Sequence, residues 1–109
     1  RRELREETGL EARTWIQVLS YQLSNSITDE RGFGFIATDI TQGAAEPDPT
    51  EALAIVRAPF RQALELAVAG HIHDLITVAM LLRAHHMAIE GQLPEPLGRA
   101  MLRKAGERP

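Results

Sequence analysis

The proline pair Pro47 and Pro49, in the run "TQGAAEPDPT" behind Gly43, limits what this chain can fold into more than any other feature. Proline fixes φ and has no N–H to donate, so two at that spacing exclude both a helix interior and a central strand. Residues 41–50 are therefore expected to be loop, and the chain falls into two parts of different character. Ahead of the loop the pattern is strand-like; behind it the pattern is mostly helical.

In the first part Trp15, Leu19, Tyr21 and Leu23 fall on odd positions, with Gln17 the exception and Ser20 and Gln22 between them, which predicts a strand from Trp15 to Leu23. "FGFIATDI", from Phe33 to Ile40, resumes a β-like run. "SNSITDERG" between them is dense in turn formers, so the two runs are expected to pair like a hairpin across a polar loop. After the prolines, "EALAIVR" reads as a short strand, with Ile55 and Val56 tipping it away from helix.

Pro59 suits the first position of a helix running to Ala69, with Leu64, Ala67 and Val68 on one stripe and Gly70 as its stop. Asp74 suits the cap of another helix. Its residues Leu75, Ile76, Val78, Ala79, Met80, Leu81 and Leu82 are apolar nearly all round, which predicts burial on most of its surface. Gly91 to Pro96 breaks the chain, and the remainder reads as a short polar helix or a frayed tail. The order is a mixed α/β one with few strands for a complete sheet, and no internal repeat is visible.

Composition narrows the chemistry. At 109 residues the chain makes one domain at most, and its 44% hydrophobic and 25% charged residues are those of an ordinary globular protein. With no cysteine, disulfides, thiolate catalysis and Cys-based zinc sites are excluded. A net charge of -3 speaks against a dedicated nucleic-acid binder, and Arg99, Arg103, Lys104 and Arg108 read as a solvated basic tail. The apolar run Leu75 to Leu82 falls short of the ~20 residues a membrane span needs. Neither nucleic acid nor membrane is expected as a partner, and a cytoplasmic location is the default.

The chain opens with "RRELREETGL". Arg1 to Thr8 reads as a helix, and Gly9 supplies its left-handed stop. Glu3, Glu6 and Glu7, at i, i+3 and i+4, share an arc of about 100° on such a helix. Three like charges there repel, and Glu7 lies near the negative end of the helix dipole. Arg2, four residues before Glu6, offsets part of this. One reading is a solvated face laced by ion pairs of about 0.3–0.5 kcal/mol each. The other is a face that holds a hard divalent cation, Mg²⁺ first and Mn²⁺ able to replace it, because such ions take carboxylate oxygens and share substrate phosphates.

"RELREETGL", Arg2 to Leu10, resembles the second half of the Nudix box, and Arg2, Glu3, Leu4, Glu6, Glu7, Gly9 and Leu10 fill every constrained position of that half. The front half, which opens on a Gly and carries a further Glu, is expected to lie ahead of Arg1. The rest looks most like the superfamily's ADP-ribose pyrophosphatase and nucleoside diphosphate sugar hydrolase branch. There "SNSITDERGFGFIATDI" supplies Glu30, "PDPTEALAIV" supplies Glu51, and "PFRQALELAVAGHIHDLITVAMLL" matches the closing pattern loosely.

The resemblance implies a Nudix-type α/β/α sandwich with a mixed sheet, incomplete here, with residues 1–92 as the C-terminal part of one hydrolase domain. Residues 93–109 would be a polar tail, helical or disordered. It implies Mg²⁺ on Glu3, Glu6 and Glu7, with Arg2 orienting those carboxylates and Glu6 or Glu51 acting on the attacking water. Glu30 and Asp29 would contact a further metal or the substrate, a nucleoside diphosphate linked to another group, with ADP-ribose the first choice; otherwise they are turn chemistry. A homodimer is expected of the intact protein, and the 109 residues alone are expected to be inactive.

Other residues carry less. His71, His73, His85 and His86 show no zinc-ligand spacing, Arg57 and Arg61 read as solvent-facing with contact to phosphate as the alternative, and no base is placed beside Ser24 or Ser26. Two rival expectations remain: a Nudix-like module that binds a nucleotide or protein without hydrolysis, and a chain that folds only with a partner covering its open strands.

Overall fold

In the computed structural model Gly9 takes φ 76°, a conformation that a residue with a Cβ adopts only at a cost. Helix α1 (Arg2–Thr8) therefore stops where the sequence predicts, and the chain passes at once into strand β1 (Leu10–Gln22). The structure describes residues 2–23, 31–42 and 57–104, and of Arg2, Glu3 and Glu6 only the helical backbone. The chain divides into two compact units, Arg1–Val56 and Arg57–Pro109.

In the first unit β1 pairs antiparallel with β2 (Arg31–Gln42), the two forming the one sheet among the described residues. The pairing expected from the sequence is present, but both strands outrun the predicted spans. Leu10 lies opposite Gln42 and Ala12 opposite Ile40, so β1 begins at Leu10 rather than Trp15. Partner hydrogen bonds extend the ladder through Glu11 and Arg13, where local pattern gave no strand signal.

The odd-numbered stripe is corrected as well. The register shifts between Gln17 and Leu19, a bulge with Val18 as the extra residue, and Val18 is buried at 3% exposure. A bulge exchanges the faces of the residues beyond it. Trp15 thus shares a face with Gln17, Phe35, Ser20 and Phe33, and its ring meets Phe35 edge-on with centroids 6.3 Å apart. Leu19 and Tyr21 fall on the opposite face with Ile16 and Ile36. There the Tyr21 ring lies over Gly32, where an added Cβ would come within 2.0 Å of it.

The second unit is helical: α2 (Phe60–Val68), α3 (Leu75–Ile89) and α4 (Glu95–Leu102). Pro59 is the N-cap of α2, one place outside the helix instead of its first residue, and its carbonyl accepts from Gln62 and Ala63. Gly70 follows the C-cap as expected, with φ 83°, and His71 N–H reaches back to the Leu66 carbonyl at 2.9 Å. Asp74 caps α3 as predicted, accepting from Thr77 N–H at 2.9 Å and from the Thr77 hydroxyl. Those two bonds, the hydroxyl first, hold its carboxyl below the ordinary aspartate value of 3.8.

Burial on α3 is narrower than its composition suggests. Ala84, Met87 and Ala88 form a buried stripe at i, i+3 and i+4, while Leu75 is 78% exposed and Leu82 45%. Its neighbours α2 and α4 cover one face of a helix that is apolar on several. Residues 95–102 are helix, and Met101 is buried. Gly98 of α4 faces Ala88 of α3, where an added Cβ would make an ordinary van der Waals contact, 3.8 Å from the Ala88 carbonyl oxygen. The strand expected over 51–57 lies, Arg57 apart, outside the described residues, as do the loop residues 24–30 and 43–50. Among the described residues no helix is long and apolar enough to cross a membrane.

Candidate functional site

Helix α1 has seven residues, below the length at which an isolated helix is stable in water. Its order therefore depends on what ties down its ends. Gly9 N–H donates to the Arg5 carbonyl at 2.8 Å, closing the last turn. The Thr8 hydroxyl donates to the Leu4 carbonyl at 2.5 Å and accepts from Leu10 N–H at 3.1 Å. The Arg5 guanidinium lies 3.7 Å from the Glu11 carboxylate, both side chains more than half exposed. Gly9 itself is buried.

This backbone places Glu3, Glu6 and Glu7 at i, i+3 and i+4 of one continuous helix, on the shared arc that the spacing predicts. Glu7 is exposed. The side chains of Glu3, Glu6 and Arg2 are outside what the structure describes, and Asp29, Glu30 and Glu51 lie outside the described residues altogether. Among the described side chains, a set without Glu3 and Glu6, no three of His, Cys, Asp or Glu converge on a point a metal could occupy. A donor set of three carboxylates on one helical face fits a hard, oxygen-seeking cation and not a soft one.

Thr8, Arg5 and Glu11, the residues that join this helix to β1, stand outside the residues to which the sequence assigns a role. A hydroxyl residue directly before the terminal glycine was the available signal, since such side chains bond to nearby backbone. In the second unit an apolar groove of about 340 Å³ lies between α2 and α3, lined by Leu64, Val68, Leu82 and His85 among others. His85 Nδ1 is buried there without a partner among the described residues. None of the residues that the Nudix resemblance assigns to metal or substrate lines the groove; Arg61 does, with its guanidinium 3.6 Å from the Glu65 carboxylate.

No protein-family model matches this chain. The chain is similar to the ADP-ribose pyrophosphatase of Mycobacterium tuberculosis (strain ATCC 25618 / H37Rv), 31% identical over 98 aligned positions, with 88% of this chain and 47% of that protein covered. It thus spans about half the length of the curated relative it matches, and the similarity points to the Nudix superfamily.

Proposed function

We propose that the protein is a Nudix hydrolase that splits the pyrophosphate of a nucleoside diphosphate linked to another group, ADP-ribose being the first candidate. The observation that carries this reading is the "RELREETGL" segment: its glutamates lie along one short helix that ends at a left-handed glycine and opens directly into a strand. The mycobacterial relative is named for pyrophosphatase action on ADP-ribose, which supports the substrate class. In this reading β1 and β2 are neighbours in the mixed sheet of an α/β/α sandwich, and the intact protein is a homodimer.

Glu3, Glu6 and Glu7 would hold Mg²⁺, with Arg2 restraining their carboxylates by charge-assisted hydrogen bonds. When bound, the ion supplies positive charge to the phosphoryl oxygens. Glu51, or a carboxylate of α1, takes the proton from the attacking water as its oxygen bonds to one phosphorus. The bridging P–O bond breaks, and the electron pair leaves with the departing phosphate. The products are a nucleoside monophosphate and the phosphorylated second group. Glu30 and Asp29 would position the substrate.

The test is a turnover screen on the product of the complete gene, with Mg²⁺ and both nucleotide sugars and nucleoside triphosphates. Preference for ADP-ribose or a related nucleotide sugar is expected. Preference for triphosphates overturns the substrate class, and calorimetric binding of ADP-ribose with no product identifies a non-catalytic module instead.

A further inference from the structure

Thr8 joins helix α1 to strand β1 through a single hydroxyl. That hydroxyl donates one turn back to the Leu4 carbonyl and accepts forward from Leu10 N–H, the first amide of the strand. When a helix ends at a left-handed glycine, the amide after the glycine commonly bonds to a carbonyl of the last turn. Here the Leu10 amide takes the Thr8 side chain, so one residue closes the helix and starts the ladder. Helix propensity does not explain a threonine at this position, since its branched side chain is a weak helix former.

The last turn of α1 needs such a clamp. It carries Glu6 and Glu7, whose charges repel each other and Glu3 and lie toward the negative end of the dipole. Without a tie at its end, so short a helix frays from that end, and the backbone that directs Glu6 and Glu7 loses its fixed geometry. The Arg5–Glu11 pair also spans helix and strand, but it is solvent-exposed and weak.

Resting on the reading of α1 as a metal-holding helix, we infer that Thr8 is a positioning residue whose hydroxyl fixes Glu6 and Glu7 in the arrangement that binds the divalent cation. It touches neither ion nor substrate; it acts through the backbone of the carboxylates beside it. Residues that orient a metal's ligands typically contribute 10-fold to 100-fold in affinity, roughly the range expected here.

The experiment titrates MnCl2 into the complete gene product and follows free Mn²⁺ by electron paramagnetic resonance, so that no turnover is needed. Thr8→Val keeps the shape and loses the hydroxyl; it should weaken Mn²⁺ binding about 10-fold and speed hydrogen exchange at the Leu10 amide. Thr8→Ser keeps the hydroxyl and should restore both. Where the valine variant does not fold, Thr8→Ala makes the same comparison. Wild-type affinity in the hydroxyl-free variants, or a serine variant as weak as they are, overturns the role of Thr8. Glu6→Gln separates the two ideas. If it leaves Mn²⁺ binding intact, the metal reading fails and Thr8 with it; if it abolishes binding while Thr8→Val does not, the Thr8 inference alone fails.

Discussion

Strands β1 and β2 leave Phe33 53% and Phe35 41% exposed and bury one apolar side chain, Val18, among the described residues, whereas the helical unit buries Leu64, Ala67, Ala84, Met87, Ala88 and Met101 on its helices and Leu93 between α3 and α4. The helical unit holds together by a small core of closely packed alanine, methionine and leucine, with each helix start marked by a proline or a capping aspartate. The strand unit holds together by its ladder and by short ties between backbone and side chain. Among the described residues, the candidate chemistry lies on the unit that buries fewer apolar side chains. A site on such a unit depends on local hydrogen bonds for its geometry, and these contribute about 0.5–1.5 kcal/mol each.

That contrast can be broken at several points. The largest effect is expected from Glu6→Gln in the complete gene product, which should reduce Mg²⁺-dependent turnover by more than about 100-fold, because even groups that merely orient a metal ligand reach that range. Its unfolding midpoint should stay near that of the wild type, and a loss of turnover matched by a loss of fold would remove the functional meaning of the helix.

Core truncation should separate the units next. Leu64→Ala is expected to cost about 2–4 kcal/mol in denaturant unfolding, and Phe33→Ala about 1 kcal/mol or less. Equal costs would mean that the strand face is as well packed as the helical core.

Asp74 tests the helical caps through pH. Its folded carboxyl titrates below 3.8, so the capping contribution is fully present above that value and is lost as pH falls through the folded value. Asp74→Ala should lower Tm at neutral pH and match the wild type once the solution is acid enough to protonate the folded aspartate. A deficit that persists unchanged in acid would point to lost packing rather than a lost carboxylate.

The smallest change is expected at the exposed Arg5–Glu11 pair, where Glu11→Gln should alter stability by no more than about 0.5 kcal/mol. A larger loss would make this pair, and not Thr8, the main tie between α1 and β1.

The helical unit was the more legible in sequence because its signals are local. Asp74 and Gly70 mark boundaries by themselves, and both stand where they were expected. The exposure of Leu75 and Leu82 was not legible, since an apolar helix does not reveal which of its faces a neighbour covers. The packing of Met101 was hidden for the opposite reason: a short, polar-looking segment is fixed by a contact with α3. In the strand unit the bulge at Val18 reassigned Trp15 and Leu19 to opposite faces, and a bulge depends on a partner strand that single-strand alternation cannot see. Of the candidate site, the spacing of Glu3, Glu6 and Glu7 and the stop at Gly9 were legible from helix geometry. The clamp at Thr8 was not, because one hydroxyl serving two backbone groups leaves only an ambiguous trace in sequence.

The most direct measurement follows ADP-ribose in the presence of the complete gene product, once with MgCl2 and once with EDTA, by chromatography of the nucleotides. AMP and a ribose phosphate should form only with magnesium. AMP forming equally in EDTA, or ADP-ribose binding with no AMP at any magnesium concentration, would contradict the assignment of the α1 carboxylates to metal-dependent hydrolysis.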